Sequence, residues 1–236
     1  MELNNIKLAM VGHSLLTHFP LDSLPPALQP LLTINAPNML PFYVDGHYKK
    51  LMDHRPRLNT VIFIIGGNDI DTQVHTTEHL RDISHAFMRT AIILVQKGIK
   101  PFFLPIQPRT SPKYTTKDRY IAVADKINHS LSEFFIRQLH YCALIDCQFG
   151  ERSLRRDGIH FTQADYSMLT SEIVEHLTHH LDSSLPPLPQ LPLEKNEAFL
   201  AREKVKNGKD FSDHCLGCNC QDMGISIGTQ TGEDEQ

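Results

Sequence analysis

The chain has 236 residues, of which 41% are hydrophobic and 21% are charged, and its formal net charge is −4. This length supports one sizeable core and leaves little room for a second full domain. The acidic balance argues against a broad nucleic-acid surface, so nucleic acid is not an expected partner, although Arg152, Arg155 and Arg156 could form a local basic patch.

The sequence carries no sign of export or of a membrane anchor. No stretch approaches the roughly 18 consecutive apolar residues that a membrane-spanning helix needs. The first residues, Met1 to Asn5, lack the basic region of a secretory signal peptide. The five cysteines cannot all pair with one another. We therefore expect a cytoplasmic protein with reduced thiols.

Three strands are predicted in the first part of the chain. An apolar run at 6–11 ends at Gly12, which is typical of a buried strand that enters a tight turn. A weaker strand candidate lies at 31–34. The clearest strand is 61–65, a continuous run of β-branched and aromatic residues closed by two glycines. Such a run is typical of a parallel strand that is covered on both faces.

Helices and strands alternate in the second part of the chain. Apolar residues recur at helical spacing in three long segments, and short apolar runs lie between these segments. The predicted order is a helix at 77–97, a strand at 101–106, a helix at 117–139, a strand at 143–146 and a helix at 163–181. This alternation predicts an α/β fold, a three-layer α/β/α sandwich with a mostly parallel sheet, in which ligands bind beyond the carboxyl ends of the strands.

The composition changes near residue 182. Four prolines in 183–193 predict an extended linker. The segment 194–236 is charged and polar, and we expect it to be a largely disordered tail. The folded domain is therefore expected at 1–182, and the tail is the segment expected to bind a protein partner.

The tail contains a cluster of potential metal ligands, namely His214, Cys215, Cys218 and Cys220. A zinc site is one interpretation, but a typical zinc knuckle needs a second ligand pair well separated in sequence, and none follows. We favour an exposed thiol-rich tail without a metal. The zinc content of the protein with and without this tail distinguishes the two interpretations.

Two polar motifs directly follow predicted strands. Ser14 follows the first strand, where its hydroxyl can act as a nucleophile beside backbone N–H groups, although a serine here can equally cap the next helix. Asn68 follows 61–65, and its amide can donate a hydrogen bond to a developing oxyanion. Its neighbours, Gly67 and Asp69, are also common in simple turns.

A third motif follows the last predicted strand. Asp157 lies three residues before His160, so its carboxylate can orient the imidazole as a general base. A chain with fourteen histidines can also contain such a pair by chance. Because Ser14 and Asn68 follow two other strands of the same sheet, the combination favours one site at the carboxyl edge.

These motifs resemble the conserved blocks of the SGNH (GDSL-type) serine hydrolases over about residues 6–181. Gly12-His13-Ser14-Leu15 is similar to block I, Gly66-Gly67-Asn68-Asp69 matches block III, and Asp157-Gly158-Ile159-His160 matches block V. The resemblance implies a flavodoxin-like fold with a five-stranded sheet. It also implies a catalytic triad of the serine, histidine and aspartate, an acyl-enzyme intermediate, and no cofactor or metal.

Two positions depart from the family pattern. His13 stands where block I has an aspartate that is not a triad member. Block II supplies a glycine N–H to the oxyanion hole, and the spacing before Asn68 points instead to Pro37 and Asn38. Because proline has no N–H, we expect the oxyanion donors to be the backbone of Ser14, the amide of Asn68 and Asn38.

The resemblance implies a serine esterase that hydrolyses a carboxylic ester of a small molecule, glycan or lipid, with a short acyl or acetyl group as one option. The alternative is a catalytically impaired binding or scaffold protein of the same fold, such as a module of a retrotransposon-type protein. His13 and the block II position support the alternative, whereas the intact serine, asparagine, aspartate and histidine argue against it.

Overall fold

The computed structural model describes residues 5–43, 46–138, 143–145, 147 and 149–182. Its five strands form one sheet with the order β2-β1-β3-β4-β5, and every pairing is parallel. The strands are β1 (Leu8–Gly12), β2 (Leu32–Asn35), β3 (Thr60–Ile64), β4 (Lys100–Phe103) and β5 (Ala143–Leu144). The α-helices of the described residues are α1 (Ser14–Thr17), α2 (His47–Asp53), α3 (Thr77–Gln96), α4 (Lys117–Gln138) and α5 (Gln163–Asp182), and short 3₁₀ helices lie in the connections.

The strands β1 and β3 are buried on both faces, since every residue of each strand is buried. Successive side chains of a strand point to opposite sides of the sheet, so the two faces pack against different helices. In β3, Val61 and Phe63 pack in one hydrophobic cluster with residues of α3 and α4. The alternate residues, Ile62 and Ile64, pack in a second cluster with residues of α5. The predicted α/β/α sandwich with a five-stranded parallel sheet is therefore confirmed.

The long helices begin and end close to the predicted positions. The Thr76 side chain accepts a hydrogen bond from the backbone N–H of His79 and so caps the start of α3. The helix ends before Gly98, which adopts a φ of +77° that favours glycine. The short helix α2, which the sequence pattern did not predict, follows Gly46.

The strand predicted at 101–106 ends earlier, at Phe103. The Asn128 side chain on α4 accepts a hydrogen bond from the Ile106 N–H at 2.7 Å and donates one to the Ile106 carbonyl at 3.0 Å. Because a side chain satisfies these backbone groups in place of a neighbouring strand, the chain leaves the sheet before residue 106.

Part of the predicted organisation cannot be compared with the fold. The linker at 183–193, the tail at 194–236 and its cluster Cys215, Cys218 and Cys220 lie outside the described residues. In the part of the chain that is described, no helix combines the length and the apolar character that crossing a membrane requires.

Candidate functional site

The candidate site lies where the strand order of the sheet reverses. Strand β1 pairs with β2 on one side and with β3 on the other, so the chain runs from β1 to one side and then crosses back over β1 to form β3. Ser14 follows β1, Asn38 follows β2 and Asn68 follows β3, all at the carboxyl edge. Parallel sheets bind ligands in the crevice at such a switch point.

A cavity of about 390 Å³ opens at this edge. It brings together four of the five residues that the sequence predicted, and the fifth, Asp157, contacts His160. Its lining residues are Ser14, Asn38, Asn68, Asp71, Arg109, Lys113, Tyr114, Ile159 and His160.

Ser14 is the first residue of α1, and its hydroxyl does not cap this helix. The cap is His13, whose Nδ1 accepts a hydrogen bond from the Leu15 N–H at 3.2 Å. The Ser14 Oγ lies 3.5 Å from the same Nδ1. The interpretation of Ser14 as a helix cap is therefore wrong, because its neighbour satisfies the N–H group instead.

His13 places an uncharged ring beside Ser14. Burial lowers the pKa of His13 to about 3, and electrostatic interactions with Arg109 and His160 act in the same direction. The ring is therefore neutral at neutral pH, which agrees with an Nδ1 that accepts a hydrogen bond. The substitution of the family's aspartate by His13 adds no charge next to the serine.

The Asp157 carboxylate holds the His160 ring. Its Oδ2 lies 2.9 Å from the imidazole Nδ1, and its Oδ1 accepts hydrogen bonds from the backbone N–H groups of Ile159 and His160, each at 2.9 Å. Partial burial alone would raise the pKa of Asp157, but these hydrogen bonds outweigh it and lower the pKa to about 2. An ionised carboxylate at this place keeps the proton of His160 on Nδ1, which leaves Nε2 as an acceptor.

The Nε2 of His160 is buried and has no hydrogen-bond partner among the described residues. The His160 ring and the His18 ring make an edge-to-face contact, with 4.5 Å between the ring centroids. Ser14 and His160 thus line one cavity, but the described hydrogen bond of the Ser14 hydroxyl goes to His13.

Three hydrogen bonds fix the segment that contains Asn38. The Asn68 amide Nδ2 donates to the Pro37 carbonyl at 2.9 Å. The Asp69 carboxylate accepts from the N–H groups of Met39 at 2.7 Å and Leu40 at 3.1 Å. Consecutive residues of the motif after β3 therefore hold both flanks of Asn38, so that its backbone lies beside the Asn68 side chain.

Sequence reasoning missed the buried pair of Asp71 and Arg109, whose side chains are 5% and 6% exposed. The Arg109 Nη1 donates to the Asp71 Oδ2 at 3.0 Å, and Nη2 donates to the Asn68 Oδ1 at 2.7 Å. The Asp71 carboxylate also accepts hydrogen bonds from the backbone N–H groups of Lys113 and Tyr114. The sequence feature that could have identified them is their position, because both residues follow strand ends on the same edge as the predicted motifs.

The loop of Asp157 packs directly against the loop that follows β4. Gly158 has a φ of +69°, and its carbonyl accepts a hydrogen bond from the Thr110 N–H at 2.9 Å. A Cβ atom at this glycine would contact the Thr110 hydroxyl and would lie 2.6 Å from that of Ser111. Glycine is therefore required at position 158 for its backbone conformation and for the close approach of the two loops.

The described residues contain no group of three or more histidine, cysteine, aspartate or glutamate side chains that could hold a metal ion.

Burial of Asp69 predicts a measurable pH dependence of stability. Burial raises the pKa of Asp69 to about 6, although the N–H groups of Met39 and Leu40 act in the opposite direction. Since the folded state then binds the proton more tightly, the stabilising contribution is fully present below about pH 4 and is lost as the pH rises through about 6. The difference between the folded and unfolded pKa corresponds to about 3 kcal/mol.

We expect the free energy of unfolding of the wild type, relative to Asp69→Asn, to fall by about 2 to 3 kcal/mol between pH 4 and pH 7. Urea unfolding at both pH values measures this difference, and the exposed substitution Asp22→Asn serves as the control. A constant difference between wild type and Asp69→Asn across this range would contradict the assignment.

The comparisons with known proteins agree with the architecture. No protein-family model and no curated protein sequence matches the chain significantly. Among solved structures, a GDSL-like lipase from Bacteroides thetaiotaomicron matches with a TM-score of 0.59 and 12% identity, over 73% of this chain and 88% of that protein.

Two further solved structures are similar to this chain in fold. The acetylxylan esterase Axe2 from Geobacillus stearothermophilus, in a catalytic mutant, matches with a TM-score of 0.55 and 12% identity, over 72% of this chain and 93% of that protein. TesA matches with a TM-score of 0.51 and 15% identity, over 74% of this chain and 99% of that protein. The chain therefore has the fold of these hydrolases, as the motif resemblance implied.

Proposed function

We propose, with the SGNH (GDSL-type) hydrolase fold as the premise, that the chain is a serine esterase that hydrolyses a carboxylic ester through Ser14, His160 and Asp157. One observation carries the proposal. The Nε2 of His160 is a buried acceptor without a hydrogen-bond partner among the described residues, and His160 lines the same cavity as Ser14. A carboxylate on the opposite ring nitrogen gives the imidazole the tautomer that a general base needs.

The proposed reaction starts with a rotation of the Ser14 hydroxyl from His13 towards His160. Hydrogen bonds between a nucleophile and its general base are often long or poorly aligned in free enzymes and become shorter in the substrate complex. Nε2 of His160 then accepts the hydroxyl proton while Oγ forms a bond to the ester carbon. The carbon–oxygen bond to the alcohol breaks, and His160 returns the proton to the leaving alcohol. Water repeats the same sequence on the acyl-serine and releases the acid.

Three donors are proposed for the oxyanion of the tetrahedral intermediate. Ser14 is the first helical residue, so its backbone N–H has no partner within α1. The Asn68 amide nitrogen carries two N–H bonds, of which one goes to Pro37 and the other remains for the substrate. The backbone N–H of Asn38 is the third, and the hydrogen bonds on both sides of this residue support its place beside Asn68. One such donor is worth about 3 kcal/mol of transition-state stabilisation.

The cavity favours an ester with a short acyl group. Among the described residues that line it, only Tyr114 and Ile159 have largely apolar side chains, so a long acyl chain would find little apolar surface. The fold likeness to an acetylxylan esterase is compatible with an acetyl group. Small-molecule, glycan and lipid esters with short acyl groups all remain within the proposal.

A second candidate function is binding or scaffolding by a catalytically impaired protein. The observation that favours it is the Ser14 hydroxyl, which approaches His13 rather than His160. Labelling with a fluorophosphonate probe distinguishes the two functions, because only an activated serine is modified at an appreciable rate.

We expect the probe to modify Ser14 of the full chain, with the adduct located by peptide mass spectrometry. Ser14→Ala should lose the label, whereas Ser167→Ala, an exposed substitution on α5, should keep it. Absence of an adduct on Ser14 in folded wild-type protein would favour the scaffold function.

A further inference from the structure

We infer that Arg109 is a positioning residue that orients the Asn68 amide and so determines how strongly the oxyanion site binds negative charge, an inference that rests on the proposed function. The sequence motifs assign no part to this arginine. Its place in the site follows from the contacts of its two terminal nitrogens, which bridge the loop after β4 to the loop after β3.

An asparagine amide can occupy its place in two orientations that exchange the oxygen and the nitrogen. In the observed orientation, Oδ1 of Asn68 accepts from the Arg109 Nη2 at 2.7 Å and Nδ2 donates to the Pro37 carbonyl at 2.9 Å. The reverse orientation would place the amide N–H groups against the guanidinium and the amide oxygen against the carbonyl oxygen. Both hydrogen bonds would become repulsive contacts, so Arg109 fixes which atom of Asn68 can serve as the donor.

The guanidinium also strengthens that donor. A charged donor on the amide oxygen draws electron density from the nitrogen, since hydrogen bonds in series polarise one another. The second N–H of the Asn68 Nδ2 is therefore a better donor to an oxyanion than an amide that bonds to water. Burial favours this polarisation, because the Arg109 side chain is only 6% exposed and water screens it little.

Arg109 is itself held in one geometry. Its Nη1 bonds to Asp71, and its guanidinium lies over the Tyr120 ring with 5.4 Å to the ring centroid. A Cβ atom at Gly67 would lie 2.9 Å from Nη2, so the glycine before Asn68 leaves the room that the guanidinium occupies. Asn128 fixes the start of the same loop at Ile106.

The contacts of the arginine argue against a role as the main anchor for a charged substrate. Its charge is paired with the Asp71 carboxylate, which is 5% exposed, and the planar fork bonds two groups at once. A lysine could keep the charge next to Asp71 but has one nitrogen in place of the fork. Arg109→Lys therefore keeps the ion pair while it weakens the bond to Asn68.

A double-mutant cycle tests the inference with p-nitrophenyl acetate as the substrate. We expect Arg109→Met to lower kcat by about 10- to 100-fold with KM changed by less than about threefold, because the lost interaction acts in the transition state. In an Asn68→Ala background, the same substitution should lower kcat by less than about twofold. The exposed substitution Arg119→Met should leave both constants unchanged.

Multiplicative losses in the double variant would overturn the inference, since Arg109 would then act independently of Asn68. A raised KM with an unchanged kcat would also overturn it and would assign the arginine to substrate binding. Where Arg109→Met fails to fold because Asp71 is left unpaired, Arg109→Lys is used in the same cycle, with an expected loss of kcat that again disappears in the Asn68→Ala background.

A spectroscopic measurement tests the orientation without any activity. The side-chain NH₂ signals of Asn68 in a ¹⁵N spectrum are identified by their absence in Asn68→Ala. We expect these signals to shift in Arg109→Met and to keep their positions in Arg119→Met. Unshifted signals in Arg109→Met would overturn the inference. A wild type without esterase activity would contradict the proposed function instead, and the spectrum would still decide whether Arg109 orients Asn68.

Discussion

Replacement of Ser14 by alanine is expected to lower kcat/KM for p-nitrophenyl acetate by about 10⁴-fold or more. The substitution removes the only protein atom that forms a bond to the ester carbon in the proposed mechanism. We expect the fold to persist, because the described contact of the Ser14 hydroxyl is a weak one of 3.5 Å to His13. Initial rates measure the loss, and urea unfolding measures the stability.

The matched control for this result is Ser167→Ala, which removes a hydroxyl from the exposed face of α5. A further check uses His160→Ala, alone and combined with Ser14→Ala. Residues that act as one unit give strongly non-additive losses, so the double variant should be no slower than the slower single variant. A Ser14→Ala protein with more than about a tenth of the wild-type kcat/KM would exclude this serine as the nucleophile.

Asp157→Asn is expected to lower kcat by about 10³- to 10⁴-fold while the loop keeps its shape. The Oδ1 of the new side chain can still accept the backbone N–H groups of Ile159 and His160. Its amide nitrogen, however, would replace the Oδ2 that lies 2.9 Å from the His160 Nδ1. Since that nitrogen donates, the imidazole proton moves to Nε2, which can then no longer accept the proton of Ser14.

Two measurements check this prediction. Steady-state kinetics gives the loss of kcat, with the exposed substitution Asp118→Asn on α4 as the control. The ¹⁵N signals of the His160 ring should show the proton on Nδ1 in the wild type and on Nε2 in the variant. A variant within about tenfold of the wild-type kcat would be inconsistent with an orienting role for Asp157.

The low pKa of Asp157 also restricts the pH profile. Hydrogen bonds hold that pKa at about 2, so the carboxylate stays ionised at every pH above about 3. Loss of activity in mildly acidic solution is therefore expected to come from another group. Any change in the pH at which the activity of Asp157→Asn falls on the acidic side would not come from the loss of an Asp157 titration, because Asp157 does not titrate in that range.

The sequence predicted the sheet and the positions of the motifs at the candidate site because both depend on local signals. The strand at 61–65 is a continuous apolar run, and Asp157 reaches His160 within one turn of the loop. Parallel strands then bring Ser14 and Asn68 to the same edge by topology alone. No knowledge of side-chain packing was needed for any of these predictions.

The residues that the sequence did not reveal depend on contacts between distant segments. Asp71 and Arg109 are 38 positions apart, and each is an ordinary charged residue in a loop until the fold buries the two together. The support of Asn38 has the same character, because Asp69 reaches the N–H of Met39 across 30 positions. The cap at His13 was missed for a different reason, since serine is much the commoner capping residue.

The contact of Gly158 with Thr110 and Ser111 has a consequence for how the site can diverge. The loop after β4 contributes Lys113 and Tyr114 to the cavity wall, where a change of substrate would require new side chains. The same loop packs against the turn that carries Asp157 and His160, the proposed acid–base pair. If the proposed function holds, a shift of that loop for a different substrate would displace His160 as well, so that selection can alter the substrate preference more easily through side chains than through loop length.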